Sequence, residues 1–153
     1  MATDKQALGF WGEQLVSKKC RCPGCKRMGT LKRLPPNFKC ADLICDFCGF
    51  LAQVKTATVR SDATPPKTVL GAAWKPQKER MDAGIYFPLY LVLKGSDCVS
   101  IYFLSTDFQI PELFVPRREL SPNARRAGWQ GVIYDFSKLP AGALMKVFDS
   151  RQP

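Results

Sequence analysis

The sequence predicts a mixed α/β domain with a metal-binding segment embedded in it. Three observations support this: an apolar stripe at helical spacing near the N-terminus, strongly apolar runs bounded by turn residues, and two Cys-x2-Cys pairs. A chain of 153 residues is long enough for one hydrophobic core, so we expect a single domain over residues 1–153. With 46% hydrophobic and 24% charged residues, the composition is that of a soluble globular protein and excludes disordered and fibrous classes.

The N-terminal segment predicts an amphipathic helix over about residues 5–17. Asp4 can cap its first turn, since a side-chain carboxylate accepts from the unpaired backbone N–H groups there. Glu13 falls just off the apolar face, where it is either a solvated charge or a residue of a site. The apolar stripe consists of Leu8, Trp11, Leu15 and Val16.

Several segments after the helix have strand signals. Residues 50–59 are rich in β-branched and aromatic side chains, and residues 85–93 and 99–104 are apolar enough to be central strands buried on both faces. Pro88 suggests that the first of these two central strands begins after it. Shorter elements are predicted as strands at residues 113–118, 131–136 and 143–148, and as helices at residues 70–81, interrupted near Pro76, and 123–127.

Four cysteines form the pattern C-x2-C-x19-C-x2-C, made of Cys22, Cys25, Cys45 and Cys48. Two such pairs at this separation predict a closed, tetrahedral structural zinc site over about residues 20–50. Buried or disulfide-bonded cysteines are the alternative. Without a secretory signal, however, seven cysteines fit metal binding in a reducing compartment better than a disulfide framework. The remaining three are Cys20 and Cys40, which could replace a ligand or be spectators, and Cys98, which we expect to be buried and apolar.

A second pattern, D-x10-Q-x-K, overlaps the cysteine pattern and consists of Asp42, Gln53 and Lys55. Because successive side chains of a strand point to opposite faces, Gln53 and Lys55 should share a face. A carboxylate, a second oxygen ligand and a lysine are the minimal set for Mg²⁺-assisted phosphodiester hydrolysis. Taken alone, the pattern also fits ordinary surface residues. A zinc ion at the turn between the two strands would hold these groups in register.

The chain is strongly basic. Its 23 Lys and Arg residues against 13 Asp and Glu residues give a formal charge of +10, which makes a polyanion the expected partner. A ribosome-associated or membrane-surface protein would have a similar total. No apolar run reaches membrane-spanning length, and no basic-then-apolar leader precedes Gln6, so we expect a cytoplasmic protein.

Basic residues also concentrate in two local segments. Residues 18–39 are predicted to form a loop. Its cations beside the first cysteine pair could straddle a DNA backbone or be solvated; they are Lys26, Arg27, Lys32 and Arg33. Ser121-Pro122 and Gly128 bound the short predicted helix, which would place Arg125, Arg126 and Trp129 near its end. Guanidinium groups there can bridge phosphates or read guanine edges, and the indole can meet a base or anchor the core.

These motifs resemble the DpnI-like family of methyl-directed restriction endonucleases. The likeness is densest in ADLICDFCGFLAQVK, with Cys22-Pro-Gly-Cys25 before it, and in LSPNARRAGWQGVIYDFSKLP. It implies a restriction-endonuclease-like PD-(D/E)xK core, a central mixed sheet flanked by helices with an inserted zinc-ribbon knuckle. It also implies Mg²⁺-dependent cleavage of double-stranded DNA containing N6-methyladenine, within GATC.

The resemblance also implies roles for individual residues. Asp42 falls on the first catalytic carboxylate and Lys55 on the lysine, while Gln53 stands where glutamate is usual. Glu13 aligns with an acid that often joins the metal site, as an auxiliary ligand or orienting residue. Arg125, Arg126 and Trp129 fall on the DNA-reading surface, with Trp129 as the methyl sensor.

Three interpretations follow for the function. The first is an active endonuclease, expected to be a monomer without the family's C-terminal winged-helix domain and therefore a weaker, less selective binder. The second is a methyl-DNA binding module that has lost catalysis, because the amide of Gln53 removes one negative charge from the metal site. The third is a zinc-ribbon scaffold for nucleic-acid or protein partners.

Overall fold

Two β-sheets and two α-helices make up the described part of the chain. The structure, a computed structural model, describes residues 3–36, 38, 41–60, 62–119, 123 and 129–152, with the backbone alone at 72–75, 118–119 and 129–130. The elements are α1 (Asp4–Lys19), β1 (Leu31–Arg33), β2 (Leu43–Cys45), β3 (Leu51–Thr58), β4 (Thr68–Trp74), α2 (Lys75–Asp82), β5 (Leu89–Lys94), β6 (Val99–Leu104), β7 (Phe114–Glu119), β8 (Trp129–Asp135) and β9 (Met145–Asp149).

The central sheet is mixed and has the strand order β1-β2-β3-β5-β6-β9. Its β3–β5 pairing is parallel, from Gln53 opposite Leu89 to Thr58 opposite Lys94, and the other pairings are antiparallel. A parallel pair needs a crossover connection, which here contains β4 and α2. The predicted α/β fold with a central mixed sheet is confirmed.

The second sheet is antiparallel, with the order β4-β8-β7, and it covers one face of the central sheet. One core cluster joins Leu91 of the central sheet to Val69 and Val132 of the second sheet, and the other packs Val16 of α1 against Tyr90. The central strands are therefore buried on both faces, as their apolar sequences predicted. The strand after Pro88 does begin at Leu89, and β7, β8 and β9 lie within a few residues of their predicted positions.

The predicted N-cap of the first helix was wrong by one residue. Thr3, not Asp4, is the N-cap: its hydroxyl accepts from the Gln6 N–H, and the Gln6 side chain accepts from the Thr3 N–H. This reciprocal capping box provides acceptors for two backbone N–H groups at the start of the helix, whereas a capping Asp4 would provide an acceptor for one. Asp4 instead lies in the first turn, where its negative charge favours the helix dipole.

The helix predicted over residues 70–81 was also wrong in its first half. That half is strand β4, and α2 begins only at Lys75. Pro76 lies in the first turn of α2, where a missing N–H is harmless, so it starts the helix rather than interrupting it. β4 pairs with β8 along its full length, from Thr68 opposite Asp135, and this pairing with a distant strand is not visible in local sequence. The predicted helix over residues 123–127 lies, apart from Asn123, outside the described residues.

No helix in the described ranges combines the length and the apolar content needed to cross a membrane.

Helix α1 packs on β3 through Gly12. A Cβ atom added to Gly12 would lie 1.8 Å from Oγ1 and 3.0 Å from Cβ of Thr56. The helix therefore approaches the strand as closely as it does because residue 12 has no side chain. The next residue along the helix is Glu13, so this contact also fixes the position of Glu13 relative to the sheet.

We expect Gly12→Ala to destabilise the fold by about 2 kcal/mol or more, because a methyl group inserted at this contact forces the helix away from β3. Gly9→Ala on the same helix is the matched control, since nothing lies within 4 Å of its added Cβ. That control should stabilise the protein by about 0.5–1 kcal/mol through helix propensity. Urea unfolding measures both. Equal effects of the two substitutions would contradict the close-contact interpretation.

Candidate functional site

The four cysteines of the C-x2-C-x19-C-x2-C pattern come together. The Sγ atoms of Cys22, Cys25, Cys45 and Cys48 all lie within 4.8 Å of one another. The separations are 3.5 Å for Cys22–Cys48 and 3.7 Å for Cys25–Cys45. In a tetrahedral zinc site with Zn–S bonds of about 2.3 Å, the sulfurs are about 3.8 Å apart. The cluster therefore fits a closed zinc site, and it could hold that ion.

Each cysteine pair lies in a tight turn of similar design. The Lys26 N–H donates to the Cys22 carbonyl and the Gly49 N–H to the Cys45 carbonyl, each over 2.9 Å. Lys26 and Gly49 both have positive φ, 66° and 81°, which lets the chain reverse after the second cysteine of each pair. The Cys48 N–H also donates to the Cys45 sulfur over 3.4 Å, an arrangement that favours a thiolate there.

The cluster lies at the end of the β1-β2-β3 segment. The second cysteine pair spans the turn between β2 and β3, and the first pair precedes β1. A metal bound by all four sulfurs would therefore tie these three antiparallel strands together at one end. The other end of β2 carries Asp42.

The other cysteines differ in their surroundings. Cys20 and Cys98 are both buried, in different core clusters, and neither belongs to the four-sulfur group found among the described residues. Cys98 is buried in an apolar core, as predicted. Cys40 lies outside the described residues.

Asp42 lies where β2 and β3 separate. The strands pair at Leu43–Ala52 and Ile44–Leu51, and Asp42 immediately precedes this short ladder. The Asp42 carboxylate accepts a 2.8 Å hydrogen bond from the Val54 N–H, which places it against the backbone of β3. Burial raises the pKa of Asp42, while this hydrogen bond and the positive charge of Lys55 act in the opposite direction.

Gln53 and Lys55 flank Val54 in β3 and share a face, as predicted. They are paired with Leu89 and Leu91, whose side chains point into the core between the two sheets. Because Lys55 lowers the pKa of Asp42, the ammonium group is close enough for its field to act on that carboxylate. Gln53 lines a small cleft whose other walls include Gln77, Phe114 and Tyr134. The three residues of the D-x10-Q-x-K pattern are therefore neighbours at one edge of β3.

Glu13 approaches the same edge from α1. It is half-buried, and burial followed by the nearby charge of Asp42 raises its pKa to about 7, while Arg33 acts in the opposite direction. Burial is the first cause of the raised pKa at both carboxylates, because it disfavours their ionised forms. A hard divalent cation bound by these oxygens would favour the ionised forms again.

We expect Glu13→Gln to stabilise the protein at pH 8 by about 1–2 kcal/mol when no divalent cation is added. The folded pKa of about 7 lies above the ordinary value of 4.5, so the fold favours the protonated form, and stability is lost as pH rises between these values. At pH 4.5 the two proteins should therefore be nearly equal. Urea unfolding at both pH values measures the difference. Glu79→Gln, an exposed helix substitution, is the control, and an unchanged stability of Glu13→Gln at pH 8 would contradict the interpretation.

Tyr134 is a neighbour of the site that the sequence did not reveal. Burial, and then the charge of Asp42, raises the pKa of Tyr134 to about 12. Its ring lies over Gly71 of β4, where an added Cβ would be 2.5 Å from Cε2. The alternation of Val132, Tyr134 and Phe136 marks a buried face, but no sequence signal connects that face with Asp42.

The residues predicted to read DNA cannot be placed relative to this site. Arg125 and Arg126 lie outside the described residues, and Trp129 is described only through its backbone, in β8.

Comparison with known protein families gives a match over almost the whole chain. The family model described as DpnI: Dam-replacing family matches residues 2–152. The match includes the four clustered cysteines, the D-x10-Q-x-K pattern and Glu13. It agrees with the resemblance that the motifs indicated.

Proposed function

The chain belongs to the DpnI, or Dam-replacing, family, and from this premise we propose that it is a Mg²⁺-dependent endonuclease that hydrolyses adenine-methylated duplex DNA at GATC sites. One observation carries the proposal: the Asp42 carboxylate accepts a hydrogen bond from the N–H of Val54, the residue between Gln53 and Lys55, and the charge of Lys55 lowers the pKa of Asp42. Glu13 adds a second carboxylate. Family membership alone supports the coarser statement, a nuclease that acts on DNA.

The oxygen donors at this edge fit a hard divalent cation. Asp42 and Gln53 would hold Mg²⁺, with Glu13 as an auxiliary ligand or as a residue that orients a bound water. The donor set supports this assignment, because Asp42 and Glu13 carry carboxylate oxygens and Gln53 a carbonyl oxygen, the kinds of ligand that Mg²⁺ takes. When bound, Mg²⁺ supplies Lewis-acid stabilisation of the negative charge on the phosphate and lowers the pKa of water.

The protein's own residues would position the water and stabilise charge on the phosphate. Lys55 is placed to hold the attacking water beside the phosphate and to offset negative charge on the phosphoryl oxygens. The backbone N–H of Val54 holds one oxygen of Asp42 in place, and the other oxygen would bind the cation. The zinc cluster at the far end of β2 keeps Asp42 in register with β3.

We propose a single catalytic domain over residues 1–153, acting as a monomer, with Arg125, Arg126 and Trp129 on the DNA-reading surface and Trp129 sensing the methyl group. The net charge of +10 supports phosphate binding and predicts that affinity falls steeply as salt rises.

Cleavage of matched plasmids tests the proposal. Adenine-methylated and unmethylated forms of one plasmid are incubated with the zinc-loaded protein over a range of Mg²⁺ and Mn²⁺ concentrations. We expect cleavage of the methylated plasmid only, at GATC, and only with added metal. Absence of cleavage under every condition, with DNA binding intact, would disprove the enzymatic function.

A methyl-DNA binding module is the second candidate, and Gln53 is the observation that favours it. An amide in place of a carboxylate lowers the negative charge of the metal site and therefore its affinity for Mg²⁺. Gln53→Glu distinguishes the two functions. In an active enzyme it lowers the Mg²⁺ concentration needed for half-maximal cleavage, whereas in a binding module it creates cleavage where the unmodified protein has none.

A further inference from the structure

The backbones of Arg33 and Asp42 lie next to each other at one end of the paired strands β1 and β2. It ends β1 and is paired with Leu43, the residue that follows Asp42. The N–H of Leu34, next to Arg33, donates to the Asp42 carbonyl over 2.9 Å. The β1–β2 ladder therefore fixes the backbone of Arg33 beside the proposed metal site.

The side chain of Arg33 points toward α1. Leu31 and Arg33 share a face of β1, and Leu31 is buried in the core cluster that contains α1 residues. The guanidinium carbon of Arg33 lies 4.8 Å from the centre of the Phe10 ring, over the turn of α1 that precedes Glu13. A guanidinium stacked on an aromatic ring is held in orientation while its edges stay able to donate hydrogen bonds.

The charge of Arg33 lies next to the site. Phe10 and Glu13 are three residues apart on α1 and share a face of that helix, so the guanidinium over Phe10 lies close to Glu13. Among the salt bridges of the described residues, however, none involves Arg33, and the side chain is exposed. An exposed, oriented cation at this edge of the site is suited to an anion that enters from solvent.

We infer that Arg33 is a substrate-binding residue whose guanidinium, stacked on Phe10, takes a non-bridging oxygen of a DNA phosphate at or beside the bond to be cut. This inference rests on the proposed nuclease function and specifies how its site holds the substrate. Arg33 would also offset the repulsion between that phosphate and the carboxylates of Asp42 and Glu13. Neither the D-x10-Q-x-K pattern nor the four cysteines include this residue.

Neighbouring Lys32 provides a matched control. It has the same charge and is also exposed, but strand alternation turns it to the opposite face of β1. Arg33→Ala, Arg33→Lys and Lys32→Ala are compared for kcat and KM on a methylated duplex, after circular dichroism confirms that each is folded. We expect Arg33→Ala to lower kcat/KM about 10- to 100-fold. The kcat/KM of Arg33→Lys should lie between those of Arg33→Ala and the unmodified protein, because an ammonium group keeps the charge but lacks the forked donors of a guanidinium. Lys32→Ala should change kcat/KM less than about threefold.

Duplex binding without added divalent metal gives a second readout that does not need cleavage. Between about 50 and 200 mM salt, Arg33→Ala should reduce the slope of log K against log[salt] by about one, while Lys32→Ala should leave it unchanged. Equal effects of the two substitutions on kcat/KM or on the slope would overturn the inference. If the unmodified protein binds DNA but cuts none, the proposed enzyme fails, and the slope alone decides the role of Arg33.

Discussion

Cys45→Ser is expected to abolish zinc binding and to leave the protein without a cooperative folded state. Cys45 is fully buried, and its sulfur lies within 4.8 Å of the other three in the cluster. Binding of structural zinc supplies about 10 kcal/mol or more of folding free energy, which is as large as the whole stability of a domain of this size. The β1-β2-β3 segment depends on it most, because β1 and β2 have only three residues each.

The measurements are zinc content by mass spectrometry and thermal unfolding by circular dichroism. Cys98→Ala is the control, because Cys98 is also buried but lies in the apolar core away from the cluster. It should keep one zinc per chain and lose only about 1 kcal/mol. A folded, zinc-loaded Cys45→Ser protein would show that the cluster is not a structural metal site.

Asp42→Asn is expected to lower DNA cleavage by at least about a thousandfold, because it removes the charge of the proposed metal ligand, which would supply several kcal/mol of transition-state stabilisation. Stability should stay the same or increase. The amide oxygen can still accept the hydrogen bond from Val54, and burial of the Asp42 charge, which raises its pKa, is relieved. Loss of activity without loss of stability separates a site residue from a structural one.

Single-turnover cleavage and urea unfolding test this prediction on the same preparation. Asp107→Asn, at an exposed turn after β6, is the control and should change neither quantity by more than experimental error. Lys55→Met, which keeps most of the side-chain length, should lose cleavage to a similar extent. If Asp42→Asn cleaves within tenfold of the unmodified protein, Asp42 is not a metal ligand of the reaction.

The parts of the site that depend on local spacing could be predicted from the sequence. The shared face of Gln53 and Lys55 follows from strand alternation, and the grouping of Cys22 with Cys25 follows from a turn of fixed length. The burial of β5 follows from its composition, since a run of five apolar residues leaves no polar face.

The parts that depend on long-range packing could not. Nothing near Tyr134 in the sequence indicates that its ring would lie close to Asp42, since that proximity results from the second sheet folding over β3 and β5. In the sequence, Arg33 is one of several cations in a basic segment. Its position beside Asp42, which distinguishes it from the others, results from the pairing of β1 with β2. The mistaken helix over residues 70–81 has the same origin, because β4 is extended through its ladder with β8, a strand more than fifty residues later.

The order of the strands links the two layers of this protein topologically. β4 enters the second sheet between two adjacent strands of the first, and β7 and β8 do so again between β6 and β9. Neither layer is thus a continuous stretch of chain, and a protease cut in any one loop could not release one as an intact fragment. We expect the layers to melt together in one transition, so that damage to the outer sheet reaches the cleft at β3 even when it lies away from Phe114 and Tyr134.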